Sequence, residues 1–230
     1  MKIGIILTSD ERSKAYIQKL ENNNIKLDYY FLMNDNKEKI FSKNETEISQ
    51  KNGFDITKSV KESLMENNVQ FTEFNFVDIN HSELINHIKK IYCDYLIFTG
   101  GGILREKILD LNTKFIHLHP GLVPHYRGST CFYYSIINEG NTGVTAYIMD
   151  KTLDTGDIIY QKKFEKPNHK FIDNVYDPYI RSETLIHILT EDIIQKNQFI
   201  KQNPLEGETY HIIHPVLKHL AILNCIKRND

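Results

Sequence analysis

The sequence predicts an α/β fold, a mostly parallel sheet flanked by helices. Short apolar runs at 3–7, 27–32, 72–77, 94–98 and 114–118 alternate with segments whose apolar residues recur at helical spacing, the strand–helix–strand order of a parallel sheet. The runs are apolar almost throughout, as in strands covered on both faces. With 40% hydrophobic and 25% charged residues in a chain of 230, composition supports one buried core and not a disordered segment.

Residues 12–22 read as an amphipathic helix between the first two strands. The stretch 33–68 is rich in Asn, Lys, Glu and Ser, has one Gly and no Pro, and yields no clear element. A helix at 81–92 places Leu84, Ile85, Ile88 and Ile91 on one face. After the strand at 94–98, Gly100, Gly101 and Gly102 break the pattern, and 103–110 holds a helical turn or two. A loop of Pro, Gly and His follows the strand at 114–118, then a helix at 130–139. Runs at 143–149 and 157–164 read as paired strands joined by a turn-rich segment. Residues 174–202 form one long helix or two shorter ones, 210–215 alternates like an edge strand, and 215–226 is helical behind Pro215. Ile186, Leu189, Ile193, Ile194, Leu217 and Leu220 suffice to pack these helices on the sheet or to pair two copies as a homodimer.

Lys and Arg total 28 against 30 Asp and Glu, a net charge of -2, with no block of like charge. That argues against nucleic acid or an anionic membrane as partner, because phosphate-backbone binding needs clustered positive charge. The apolar run at 3–7 is too short for a signal peptide, no stretch approaches a membrane span, and the chain is read as cytoplasmic. Cys93, Cys131 and Cys225 lie far apart and outside any CxxC pattern, so they read as buried thiols.

Reactive side chains concentrate between Phe115 and Gly128. His117 and His119 stand two apart at the carboxyl end of a strand, so both face one side, where open α/β sheets place their ligand crevices. Asp154, in Leu153-Asp154-Thr155-Gly156, is ordinary turn chemistry by itself. It becomes a site residue if the fold carries it to His119, where a carboxylate would orient the imidazole. The Gly100–Gly102 run permits close backbone approach, but neither GxGxxG nor a P-loop is present, which leaves a phosphate cradle unsupported.

The stretch from Asp94 to Phe164 resembles the catalytic domain of the folate-dependent formyltransferases. The residues that carry the resemblance are His117-x-His119, Gly121-Leu122-Val123-Pro124, Tyr126-Arg127-Gly128, Gly143-Val144-Thr145 and Asp154-Thr155-Gly156. It implies a Rossmann-like formyltransferase fold, with a catalytic domain over 1–165 and a helical extension over 166–230. It also implies transfer of a formyl group from N10-formyltetrahydrofolate to a primary amine. The family's His and Asp fall on His119 and Asp154, while its Asn is replaced by His117. An amide donates a hydrogen bond at any pH and an imidazole only from a protonated nitrogen, so His117 either substitutes as oxyanion donor or marks altered chemistry. Asp154 is expected to hold His119 charged. Gly102, Ile103, Leu104 and Arg105, with Thr152 and Leu153, would line the pterin. Tyr126 and Arg127 would face the acceptor or pack the loop.

Two other readings use the same residues. One is a metal-dependent hydrolase built on His117, His119 and Asp154. The other is a family member that binds folate without catalysis. For the acceptor, the absence of a basic patch and the short chain argue against tRNA, and the expectation is an amino sugar on a nucleotide carrier or a related small metabolite.

Overall fold

The computed structural model describes residues 1–34, 39–203 and 205–226. It divides into two compact units, Met1–His117 and Leu118–Asp230.

The first unit comprises β1 (Ile3–Leu7), α1 (Glu11–Asn22), β2 (Tyr29–Met33), α2 (Lys43–Lys51), α3 (Val60–Glu66), β3 (Thr72–Phe74), α4 (Ser82–Ile88), β4 (Tyr95–Phe98), α5 (Glu106–Leu109) and most of β5 (Lys114–His119). β5 crosses the division at its last two residues. The second unit comprises β6 (Tyr126–Gly128), α6 (Cys131–Glu139), β7 (Asn141–Ile148), β8 (Ile158–Glu165), a π turn at Ile172–Tyr176 leading into α7 (Asp177–Thr190), α8 (Ile193–Lys196), β9 (Glu208–Tyr210) and α9 (Pro215–Cys225).

Seven strands run in the order β3-β2-β1-β4-β5-β7-β8, and β6 with β9 forms a separate two-stranded sheet. The pairs β1–β2, β1–β4, β2–β3 and β4–β5 are parallel, and β7–β8 is antiparallel. This is the mostly parallel sheet with flanking helices that the apolar runs predict. Ile5, Ile6, Leu7, Leu96 and Ile97 are fully buried in the first unit, because helices cover both faces of the parallel strands. No described helix is long and apolar enough to cross a membrane.

Among the described residues, the opaque stretch 33–68 contains two helices, each opened by a capping box. Ser42 accepts from the Glu45 N–H and Glu45 reaches back to the Ser42 N–H; Ser59 and Glu62 do the same for α3. The Ser-x-x-Glu spacing was the available signal. It was masked because α2 buries only Ser49 and so shows no apolar stripe.

Other boundaries moved for local reasons. β2 starts at Tyr29 because the Asp28 carboxylate takes the Ile3 N–H and the Leu27 N–H donates to the Tyr30 hydroxyl. β3 ends at Phe74, whose carbonyl accepts from the Asn34 N–H. The segment 174–202 is broken at Asp192, which adopts a left-handed φ of 52° between α7 and α8. The strand in the tail is Glu208–Tyr210 instead of 210–215, and it pairs in parallel with Tyr126–Gly128, a stretch that the sequence suggests is loop.

Replacing Ile97 by Ala, which empties a fully buried site on β4, should cost about 2–5 kcal/mol. Ser59→Ala, which removes only a cap, should cost about 1 kcal/mol in the same urea titration.

Candidate active site

The second unit brings His119, Asp154 and Tyr147 together in a buried cluster, exposed by 2%, 8% and 1% respectively. His119 is the last residue of β5, one position beyond the predicted strand end. Its Nε2 lies 2.9 Å from the Tyr126 carbonyl oxygen. A carbonyl only accepts, so this contact is a hydrogen bond in the tautomer with the proton on Nε2. Nδ1 stands 3.5 Å from Asp154 Oδ2.

Asp154 sits in the turn between β7 and β8 with φ at 53°, a left-handed conformation that Asp tolerates better than most residues. Two residues on, Gly156 passes so close to the Ile148 carbonyl that a Cβ would overlap it. Both carboxylate oxygens are engaged: Oδ2 accepts from the Gly128 N–H at 2.7 Å and Oδ1 from the Tyr147 hydroxyl at 2.6 Å. Gly128 in turn packs so closely on Tyr210 of β9 that no side chain fits there. The parallel β6–β9 pair therefore presents two backbone groups, the Tyr126 carbonyl and the Gly128 N–H, to the imidazole and the carboxylate.

A buried ion pair supports β5 from α7. Arg181 donates from Nε to Asp177 Oδ1 at 2.7 Å and from a terminal nitrogen to the Leu118 carbonyl at 2.5 Å, next to His119. Burial lowers the His119 pKa, and Arg181 lowers it further; Asp154 and Asp177 oppose them without prevailing. The expectation that Asp154 holds His119 charged is thereby corrected. Desolvation of a fully enclosed ring outweighs a carboxylate whose oxygens already serve two other donors.

The remaining expected residues fall as follows. His117 lies on β5 in the first unit, half-buried, with its ring 5.7 Å from that of Phe98 across the β4–β5 ladder. Also in the first unit, Gly102 has a φ of 103° and Ile103 is 81% exposed, whereas Leu104 is buried. Asn80 straps this loop, donating to the Ile103 carbonyl and accepting from the Arg105 N–H. In the second unit, Thr152 donates its N–H to Asp150, and Leu153 is exposed. Tyr126 is buried and stacks on Tyr210 at 5.4 Å, and the Arg127 guanidinium donates to the Glu206 carbonyl at 2.6 Å. Both pack the loop. Cys93, Cys131 and Cys225 are buried free thiols, and burial pushes Cys131 up to about 12. Among the described residues no group of three or more His, Cys, Asp or Glu could hold a metal ion.

Sequence reasoning missed Tyr147, Gly128 as a donor, Asn80 and the Asp177–Arg181 pair. An i,i+4 Asp-Arg spacing on a helix and a Tyr amid a buried strand were visible, but neither spacing says what the side chain meets.

A formyl transferase family model matches residues 5–186, from β1 into α7. The chain belongs to the formyl transferase family. The methionyl-tRNA formyltransferase of Clostridium acetobutylicum is 31% identical over 154 residues, covering 65% of this chain and 49% of the relative. The chain spans about half the length of the curated relatives it matches. Among solved structures, an N-formyltransferase of Helicobacter canadensis, crystallised with folinic acid and dTDP-3-aminofucose, superposes with a TM-score of 0.63 at 18% identity, covering 99% of this chain and 81% of that one. A sugar N-formyltransferase from a Shewanella species gives 0.59 at 21% identity, covering 100% and 90%. At such identities the likeness is one of fold.

Because His119 has a lowered folded-state pKa, its contribution to stability is complete above the unfolded value of about 6.5 and is lost as pH falls below it, where only the unfolded chain takes up the proton. His119→Gln should flatten the decline in the urea midpoint between about pH 7 and about pH 5. It leaves the part due to His169, which burial also lowers. Asp177→Ala strands the buried Arg181 charge and should cost about 3–5 kcal/mol in thermal or urea unfolding.

Proposed function

We propose that this protein transfers a formyl group from N10-formyltetrahydrofolate to a primary amine, and that the acceptor is an amino sugar on a nucleotide carrier. The observation that carries the first part is the buried His119–Asp154 pair in a chain of the formyl transferase family.

The amine nitrogen attacks the formyl carbon and a tetrahedral intermediate forms. The bond from that carbon to folate N10 then breaks, and the proton lost by the amine ends on N10. His119, neutral and protonated on Nε2, exchanges the Tyr126 carbonyl for the intermediate's oxygen and stabilises its charge, a contribution of about 10²–10³ in rate per donor elsewhere. His117, two residues earlier on β5, supplies a second donor in place of the family's Asn. The Asp154 carboxylate accepts the amine's proton through water. Exposed backbone at Gly102 to Arg105, and the turn at Thr152 and Leu153, are proposed to contact the pterin. Tyr126 and Arg127 are proposed to bound the acceptor side through their backbone. The proposed catalytic part remains residues 1–165, with 166–230 as its helical extension.

The amino-sugar acceptor is supported by the absence of a like-charge block that could follow a phosphate backbone. It is also supported by the sugar nucleotide named with the Helicobacter canadensis structure. A second reading, with methionyl-tRNA as acceptor, is favoured by the curated relatives matched in sequence.

Tetrahydrofolate release, followed with a panel of nucleoside-diphosphate amino sugars and with methionyl-tRNA, separates the two readings. His119→Ala and Asp154→Asn should each lower kcat by about 10²–10³. Near-normal turnover in both would remove the catalytic assignment. His117→Asn should retain activity if His117 acts only as a donor; its complete loss would mean that the imidazole does something that an amide cannot.

A further inference from the structure

Tyr147 belongs to no motif by which the family resemblance was drawn, yet it is among the most deeply buried large side chains of the second unit, 1% exposed. It lies on β7, whose partner strand β8 follows the turn that carries Asp154. Its ring meets the His119 ring edge-on with centroids 6.4 Å apart, and its hydroxyl donates to Asp154 Oδ1 at 2.6 Å. One phenol thus touches both members of the pair.

The geometry of the carboxylate gives that contact a task. Rotation about the bond joining a carboxylate to its Cβ meets only a broad, shallow barrier, so a single hydrogen bond leaves the plane of the group loosely defined. The Gly128 N–H holds Oδ2 alone. A second donor on Oδ1, coming from a different strand, sets the plane and with it the direction from which Oδ2 faces His119 Nδ1, 3.5 Å away.

We propose that Tyr147 is a positioning residue, whose buried phenol sets the plane of the Asp154 carboxylate and so its approach to His119. The inference rests on the formyl-transfer reading for its catalytic consequence, and on the hydrogen bond alone for its structural part. Burial, with Asp154 and Asp150 nearby, drives the phenol far above its ordinary pKa against the opposing effect of Arg181. The hydroxyl therefore stays a donor throughout the working pH range.

Tyr147→Phe tests this in the full chain. A hydrogen bond to a charged group is lost while the ring is kept, so kcat should fall by about tenfold to a hundredfold with KM for donor and acceptor nearly unchanged. A merely structural tyrosine would lower thermal stability and leave kcat alone. The independent readout is the proton NMR resonance of the Tyr147 hydroxyl. It should be strongly downfield and slow to exchange in the unaltered protein, absent in Tyr147→Phe, and shifted upfield in Asp154→Asn, where a neutral oxygen replaces the carboxylate. Absence of that resonance in the unaltered protein, or unchanged kcat in a folded Tyr147→Phe, overturns the proposal. Should Tyr147→Phe fail to fold, 3-fluorotyrosine at the same position must move the resonance further downfield, because a more acidic phenol donates more strongly; no movement overturns the proposal. If the unaltered protein transfers formyl to no acceptor, the functional reading has failed and the resonance still decides the contact.

Discussion

The second unit is organised around one buried carboxylate. Asp154 can sit at 8% exposure only because donors reach both of its oxygens, since an ionised group removed from water must be hydrogen-bonded or paired. Meeting that demand sets several other features. β6 must approach closely enough for the Gly128 N–H to bond, which excludes a side chain at 128 where β9 lies against it. The turn must enter the left-handed region at 154 and pass a glycine at 156. β7 must offer a polar tip in an otherwise apolar environment, and Tyr147 does so with a large hydrophobic body and one hydroxyl.

The surroundings of this carboxylate explain why the His119 pKa is lowered. Arg181 is paired with Asp177 and tied to the Leu118 carbonyl, so that ion pair helps to hold the strand, while Arg181 lowers the His119 pKa and Asp177 raises it. What remains for His119 is an enclosed site with a carbonyl on one nitrogen and a carboxylate at 3.5 Å on the other. Enclosure disfavours the cation, and a single carboxylate shared among other donors does not restore it.

Much of the fold was legible because its cause is local. Continuous apolar runs followed by helical periodicity required a parallel sheet covered on both sides, and β1, β4 and β5 lie within a residue of their predicted bounds. What escaped had weak local causes. Of the two described helices of 33–68, α2 buries only Ser49 and α3 is seven residues long, too short to show a helical period, so Ser-x-x-Glu caps announce them. β6 and β9 are three-residue strands separated by most of the second unit, and they pair only across that distance. Spacing marked His119, the family resemblance added Asp154, which by itself reads as turn chemistry, and Tyr147 stayed unmarked, since a tyrosine in a buried strand usually fills space.

The sequence by itself determined the layer architecture and the family, because these depend on residue type and short-range order along the chain. Only the tertiary structure decided that the pKa of His119 is lowered, that Tyr126 and Arg127 pack a loop whose backbone reaches the pair, and that a phenol from β7 holds the carboxylate. Those outcomes depend on burial and on which groups from distant strands come within bonding distance, quantities that no spacing along the chain encodes.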